Sequence, residues 1–187
     1  MKIPLLGLAG AARSGKDTAA SSLADWGWQR RAFANPVREV LYRLNPVLID
    51  PLSEAGTTTV AWEVDNHGWD YVKSEFPEVR GYLQRLGTEA GRQVIDERIW
   101  VDTLFKGYGS WASPTVITDV RFRNEAEEIK ARGGLVVKIV RPSQALIDEA
   151  EHISENALGG WEFDATVFNV GTIDQLGASI RSIAKSM

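Results

Sequence analysis

The chain has 187 residues and the apolar and charged fractions of an ordinary globular protein, enough for one compact domain with a sizeable core, with or without a small inserted subdomain. It contains no cysteine, which excludes disulfides, thiolate catalysis and Cys-ligated zinc, and the presence of only His67 and His152 argues against a multi-histidine metal site. A net charge of −4 argues against a nucleic-acid polymer as partner, no apolar run approaches the roughly 20 residues that span a membrane, and the absence of cysteine fits a cytoplasmic protein.

In chain order, Ile3 to Ala9 is an apolar run that reads as a buried strand. A turn of small residues follows, Gly10 to Gly15, then Lys16, then a helical pattern with Ala19, Ala20, Leu23 and Ala24 on one side. Strand, Gly-rich loop and helix are the context a P-loop requires, and G-x-x-x-x-G-K-[ST] is met at Gly10, Gly15 and Lys16. Its last position is not met, because Asp17 stands before Thr18. Glycines let the backbone approach an anion closely, successive N–H groups point into one concavity, and the helix N-terminus adds partial positive charge. Lys16 is placed to reach the β- and γ-phosphates of a nucleotide. A hydroxyl after the lysine normally binds Mg²⁺; here the Asp17 carboxylate, directly or through water, or the Thr18 hydroxyl takes that part. Two blander readings of the segment are a signal peptide starting at Lys2 and a chance Gly-rich turn. The helical pattern that follows the loop favours the P-loop, and cleavage would discard a core strand.

Trp28 to Ala34 reads as a short second strand. Asn35-Pro36 starts a helix with Val37, Val40, Leu41 and Leu44 on one face, and Asn45-Pro46 ends it. Residues 45–78, with Pro46, Pro51, Gly56, Gly68 and Pro77, read as an irregular, partly helical flap insertion. Residues 79–95 read as a helix: Val79, Leu83, Leu86, Ala90 and Val94 recur at steps of three and four. Arg80, Gln84, Gly87 and Gly91 share another face, smooth enough to admit something close, with a kink at Gly87-Thr88 as the alternative. Ile99 to Phe105 is a further helix.

Thr115 to Asp119 is a short buried strand ending in an acid. Asn124 with Glu127 resembles a capping box, and Arg132-Gly133-Gly134 closes that helix. Leu135 to Val140 is a fourth strand, stopped by Arg141-Pro142. Residues 141–160 form a polar segment that suits a lid, Thr166 to Val170 is a fifth strand, and Thr172 caps a final helix with Ile173, Leu176, Ile180 and Ile183 inward. Strands alternating with helices imply a parallel sheet covered on both faces, with ligand at the C-terminal ends of the strands. Arginines recur in the middle of this acidic chain, at Arg80, Arg85, Arg92, Arg98, Arg121 and Arg123, which suits a small anionic ligand.

Arg-Ser-Gly-Lys-Asp-Thr at 13–18, Leu-Gln-Arg-Leu-Gly-Thr-Glu at 83–89, Trp100 and Asp-Val-Arg at 119–121 resemble the phage deoxynucleoside monophosphate kinases, and the likeness touches most of the chain outside residues 45–78. The resemblance implies a three-layer α/β/α P-loop kinase fold with a five-stranded parallel sheet in a single domain over 1–187, carrying the flap and the lid. It implies transfer of the γ-phosphate of ATP to a dNMP with Mg²⁺. The implied partners are therefore small molecules, with no nucleic-acid polymer and no membrane, and a homodimer is left open as the assembly; a phage-encoded enzyme would act in the host cytoplasm. Gly10, Arg13, Ser14, Gly15, Lys16, Asp17, Thr18 and Arg141 would hold the nucleotide, with Asp17 and Thr18 on the metal. Val37, Arg38, Arg80, Gly87, Thr88, Trp100, Asp119, Arg121 and Glu125 would line the acceptor site, and Lys16, Asp119 and Arg121 would be catalytic. One departure is Ala12, where the family often carries a basic residue.

Alternatives stand beside several of these roles. Asp119 as a turn or capping residue, Arg121 as a solvated surface arginine, Trp100 as core, Arg80 in a surface ion pair and His152 as simply exposed rather than a general base are the structural readings. The Gly-Lys-Asp variant is shared with phosphomevalonate kinases, so phosphomevalonate and dephospho-coenzyme A remain acceptor alternatives. Asp65-Asn-His-Gly68 matches the D-x-x-G of GTPase switches in form, yet no guanine-reading Asn-Lys-x-Asp occurs. A non-catalytic nucleotide-binding module is the last alternative.

Overall fold

The structure, a computed structural model, describes residues 3–50, 52, 55–142 and 158–187. They divide into two compact units: one formed by Met1–Phe33 with Gly107–Met187, the other by Ala34–Lys106. The second is wider than the expected 45–78 insertion, since it takes in the helices on either side. Among the described residues no helix is long and apolar enough to cross a membrane.

In the first unit, β1 (Leu5–Ala9), β2 (Gln29–Arg31), β5 (Thr115–Val120), β6 (Leu135–Val140) and β7 (Ala165–Phe168) form a five-stranded sheet in the order β2-β5-β1-β6-β7. All of its pairings are parallel; Leu6 sits opposite Val116 on one side and Leu135 on the other. Side chains along β1 alternate between two helical layers, as the strand period demands. Leu6 and Leu8 join Ala19, Ala20 and Leu23 from α1 (Lys16–Ser21) and its end, and Leu176 and Ile180 from the last helix, α7 (Ile173–Lys185). Gly7 faces the other way, toward α6 (Arg123–Ala131), where a Cβ would stand 2.6 Å from Ile129 Cδ1. A glycine in mid-strand here lets α6 approach the sheet. The three-layer α/β/α arrangement and the five parallel strands expected from the sequence are thus present.

Local signals account for most boundaries. Thr172 caps α7, its Oγ1 accepting from Gln175 N–H (3.3 Å) while Gln175 Oε1 accepts from Thr172 N–H (2.8 Å). Gly133 and Gly134 close α6, as expected, their N–H groups donating to Lys130 O and Ile129 O. The start of α6 differs from the expected Asn124–Glu127 box. The N-cap is Phe122, two residues earlier, and buried Glu125 accepts from Phe122 N–H (3.0 Å) and Arg121 N–H (2.7 Å). Of the expected lid, residues 143–157, including His152, lie outside the described residues.

The second unit holds α2 (Ala34–Leu44), an antiparallel hairpin of β3 (Val47–Ile49) and β4 (Thr57–Thr59), α3 (Val60–Glu75), α4 (Pro77–Gln84), a π-helix over Arg85–Ile95 and α5 (Ile99–Phe105). Its core is Leu41, Leu48, Val60, Val72, Phe76 and Val79. Residues 45–78 are therefore more regular than their prolines and glycines suggested. Pro46 precedes a strand, Gly56 (φ 67°) sits in the hairpin turn, Gly68 (φ 80°) kinks α3 and Pro77 opens α4. Each breaker marks a boundary or a kink instead of abolishing an element.

The expected straight helix over 79–95 is also changed. From Arg85 the winding is π, so the three-and-four register is lost, and Val94 ends 80% exposed instead of inward. The smooth face admits Trp100. Its indole N–H donates to Gly87 O (2.7 Å), and a Cβ on Gly91 would lie 2.5 Å from Trp100 Cζ2 and 2.8 Å from Leu86 O. Gly91→Ala is a direct test. An exposed helical Gly→Ala change gains about 1 kcal/mol from propensity. Overpacking here costs about 1–3 kcal/mol and meets backbone as well as ring atoms, so a net loss is expected. The melting temperature should fall by several degrees; an unchanged or higher value would show that Trp100 is not seated on Gly91.

Candidate functional site

The loop Gly10–Gly15 leaves the C-terminal end of β1, the central strand, and enters α1 directly. Gly10 (φ 140°) and Gly15 (φ 103°) take left-handed backbone, as does Arg13 (φ 58°), a non-glycine residue in a conformation few side chains adopt. A Cβ on Gly10 would lie 2.3 Å from Ile139 O, so the loop's first turn has no room for any other residue. Gly15 is the N-cap of α1 and has no side chain with which to cap it, so the positive end of the helix faces the loop. Lys16 Nζ folds back over the loop, donating to Gly10 O (2.7 Å) and Ala11 O (2.5 Å) with Ser14 Oγ at 3.4 Å.

A cleft of about 270 Å³ opens beside the loop. Arg13, Gly15, Lys16, Asp17, Thr18 and Arg141 line its cationic side; Asn169, Gly171, Ile173 and Leu176 line the rest. Of the residues expected to hold the nucleotide, Arg13, Gly15, Lys16, Asp17, Thr18 and Arg141 line this cleft, while Gly10 and buried Ser14 do not, and the cleft has a further wall to which nothing in the sequence points. That wall comes from the segment after β7 and the start of α7, far from the loop in sequence. The Arg13 side chain has no hydrogen-bond or ion-pair partner among the described residues. Asp17 pairs with Arg30 of β2, both side chains largely exposed, so the pair is worth at most about 1 kcal/mol and yields readily to a cation. Asp17 and Thr18 offer hard oxygen donors at the mouth of the cleft, the chemistry Mg²⁺ takes when nucleotide phosphates and water fill its other positions. No group of three or more His, Asp or Glu able to hold a metal occurs among the described residues.

At the end of β5, Asp119 is half-buried and its Oδ1 accepts from Phe33 N–H (2.8 Å). The carboxylate thus holds the chain that follows β2, and it stands on the same edge of the sheet as the loop. Arg121 is exposed, and its guanidinium has no partner among the described residues. Its backbone is fixed by Glu125, which is 2% exposed with its carboxylate turned to the backbone rather than to solvent. Glu125 therefore shapes the turn that presents Arg121.

The other expected acceptor residues belong to the second unit. Val37 is buried, 3.8 Å from where a Gly87 Cβ would be, Arg38 is half-buried, and Thr88 lies in the π-helix. Arg80 is exposed and its Nε donates to Lys73 O (2.9 Å) at the end of α3 rather than pairing with a surface glutamate. Trp100 is only 6% exposed and takes its core alternative; a base-stacking platform needs an open ring face. Asp65 lies inside α3 with its carboxylate on the Tyr42 hydroxyl (3.0 Å), a hydrogen bond that raises the phenol's pKa. A D-x-x-G switch must reach the nucleotide phosphate from a loop, so the GTPase match is one of letters only.

A parallel sheet with a Gly-Lys loop at the end of its central strand defines a P-loop nucleotide-binding fold. Residues 56–180 match the deoxynucleotide monophosphate kinase family, and the chain belongs to that family. It is 32% identical to a protein of Acanthamoeba polyphaga mimivirus named "Putative deoxynucleotide monophosphate kinase", over 95% of this chain and 94% of that one. It is 28% identical to the deoxynucleoside-5′-monophosphate kinase of Escherichia phage T5, over 82% and 84% of the two chains. The crystal structure of shikimate kinase from Aquifex aeolicus aligns over 97% of this chain and 96% of that one at 15% identity and a TM-score of 0.47, too distant to bear on function.

Proposed function

We propose that the chain transfers the γ-phosphate of ATP to a deoxynucleoside 5′-monophosphate, giving ADP and the deoxynucleoside diphosphate. The observation that carries this reading is the Gly-Lys loop, with its uncapped helix start and cationic cleft, in a member of this family. In the reaction an oxygen of the acceptor phosphate forms the new bond to the γ-phosphorus as the bond to the β–γ bridging oxygen breaks, and that oxygen leaves with ADP. The acceptor oxygen is already ionised at neutral pH, so no general base is needed; positioning and charge neutralisation carry the catalysis. Loop N–H groups, Lys16, Arg13 and Arg141 bind the donor phosphates. Ile173 and Leu176 supply apolar surface for the nucleoside end. Arg121 takes the acceptor phosphate, and Asp119 fixes the strand end from which Arg121 is presented. Asp17 and Thr18 would hold Mg²⁺, directly or through water, where it neutralises charge on the β- and γ-phosphates.

The test is ADP formation from ATP with dNMPs, NMPs, phosphomevalonate and dephospho-coenzyme A as acceptors. The dNMPs should be turned over with the highest kcat/KM. Turnover confined to phosphomevalonate or dephospho-coenzyme A, or ATP hydrolysis indifferent to any acceptor, would overturn the reading. The metal assignment has its own test. Asp17→Asn should raise the Mg²⁺ concentration for half-maximal activity; an unchanged titration would leave Asp17 as a first-turn acid favourable to the helix dipole.

A further inference from the structure

Asn169 stands just after β7, and no feature of the sequence singles it out. Its backbone N–H donates to Val140 O (2.7 Å), which fixes it at the C-terminal edge of the sheet. Its side chain is buried, and Nδ2 donates to Ser14 O (2.9 Å) across 155 residues of sequence. We propose that Asn169 is a positioning residue that locks the peptide between Ser14 and Gly15 in the orientation that binds phosphate, an inference that rests on the nucleotide-binding reading of the cleft.

Three observations support it. Ser14 lies between Arg13 (φ 58°) and Gly15 (φ 103°), so the acceptor carbonyl belongs to a stretch with left-handed backbone on both sides. At Arg13, a non-glycine residue, such backbone is costly and persists only where its surroundings hold it, while Gly15 adopts it freely. A Cβ on Gly15 would lie 2.5 Å from Asn169 Nδ2; the amide occupies the space that the missing side chain leaves. Finally, a trans peptide is planar, with its C=O and N–H pointing in opposite directions. Pinning Ser14 O toward Asn169 therefore directs Gly15 N–H away from it, as a fixed donor at the lip of the cleft. Without the amide the peptide is free to rotate, and rotation would turn a carbonyl dipole toward an anionic ligand in place of an N–H.

The experiment compares wild type with Asn169→Ala and with the near-isosteric Asn169→Asp, which keeps the volume and loses the donor. Mg–ATP affinity is measured by calorimetry, hydrogen exchange without ligand by mass spectrometry, and KM for each substrate by steady-state kinetics. Both variants should weaken Mg–ATP binding about ten- to a hundred-fold, the scale of a misplaced binding group. Exchange should quicken in the 10–17 segment while β6 and α7 keep wild-type protection, and the dNMP KM should stay unchanged. Wild-type ATP affinity and loop exchange in both variants would overturn the proposal. So would faster exchange throughout the first unit with unchanged ATP affinity of the folded fraction, the signature of an ordinary core residue. Calorimetry and exchange need no acceptor. A wild type that binds Mg–ATP yet phosphorylates no dNMP therefore overturns the acceptor assignment, and the variants still decide the role of Asn169.

Discussion

Lys16→Ala is expected to lower turnover about 10³-fold or more, the upper range for removing a preorganised charge from a site of developing negative charge. The lysine lies within the loop, and its ammonium sits on two of the loop's own carbonyls, Gly10 O and Ala11 O, with the Ser14 hydroxyl alongside. Such a resting position keeps the charge beside the cleft, ready to exchange carbonyl partners for phosphate oxygens. An ammonium carries three donors on a flexible stem, so the exchange needs no backbone change. The sheet core is built from β1, α1 and α7 without help from the ammonium, and the variant should keep its circular dichroism and its cooperative melt. The check is kcat at saturating ATP and dNMP, read beside a thermal melt. A folded Lys16→Ala protein with near-wild-type turnover would remove the P-loop from the mechanism.

The loop was legible in the sequence because everything that defines it is local. Gly10, Gly15 and Lys16 lie within seven residues, and the apolar run before them and the helical pattern after them are contiguous with the loop. Four of the five strands could be read for the same reason: β1, β5, β6 and β7 are short apolar runs, and buried parallel strands need no alternation to be seen, whereas β2 is the polar run Gln29–Arg31. What escaped was set by partners distant in sequence. Nothing near Asn169 announces that its amide meets Ser14 O, and nothing near Gly91 says that the object packed on it is Trp100. The glycine face did say that something would come close, because a helix tolerates two such glycines only for a reason. Residues 45–78 misled differently. Their prolines and glycines suggest an irregular, only partly helical flap, whereas Gly68 and Pro77 punctuate helices that tertiary packing of Val60, Val72 and Val79 holds in place. The resemblance alone points to Glu125 in the acceptor site; nothing local in the sequence says that its carboxylate accepts from Arg121 and Phe122 N–H and fixes the turn before it.

Arg121→Lys is expected to raise the dNMP KM, or lower the acceptor kcat/KM, about ten- to a hundred-fold while ATP constants barely change. The side chain is exposed on the sheet edge that carries the loop, has no protein partner among the described residues, and hangs from backbone that buried Glu125 holds rigid. A fixed backbone bearing an uncommitted guanidinium suits a bidentate hold on a dianionic monophosphate. Hydrogen bonds to charged groups contribute about 1.5–3 kcal/mol each, which gives the stated range. Lysine keeps the charge and loses the planar fork, so its failure to substitute separates bidentate recognition from simple attraction. Arg80→Ala makes the corresponding test in the second unit, where Nε is engaged by Lys73 O. The measurement is steady-state kinetics with dNMP and ATP varied separately, at fixed ionic strength because exposed charges are screened. If Arg121→Lys instead weakens ATP and leaves the dNMP constants alone, the guanidinium serves the donor phosphates and the acceptor phosphate is bound elsewhere.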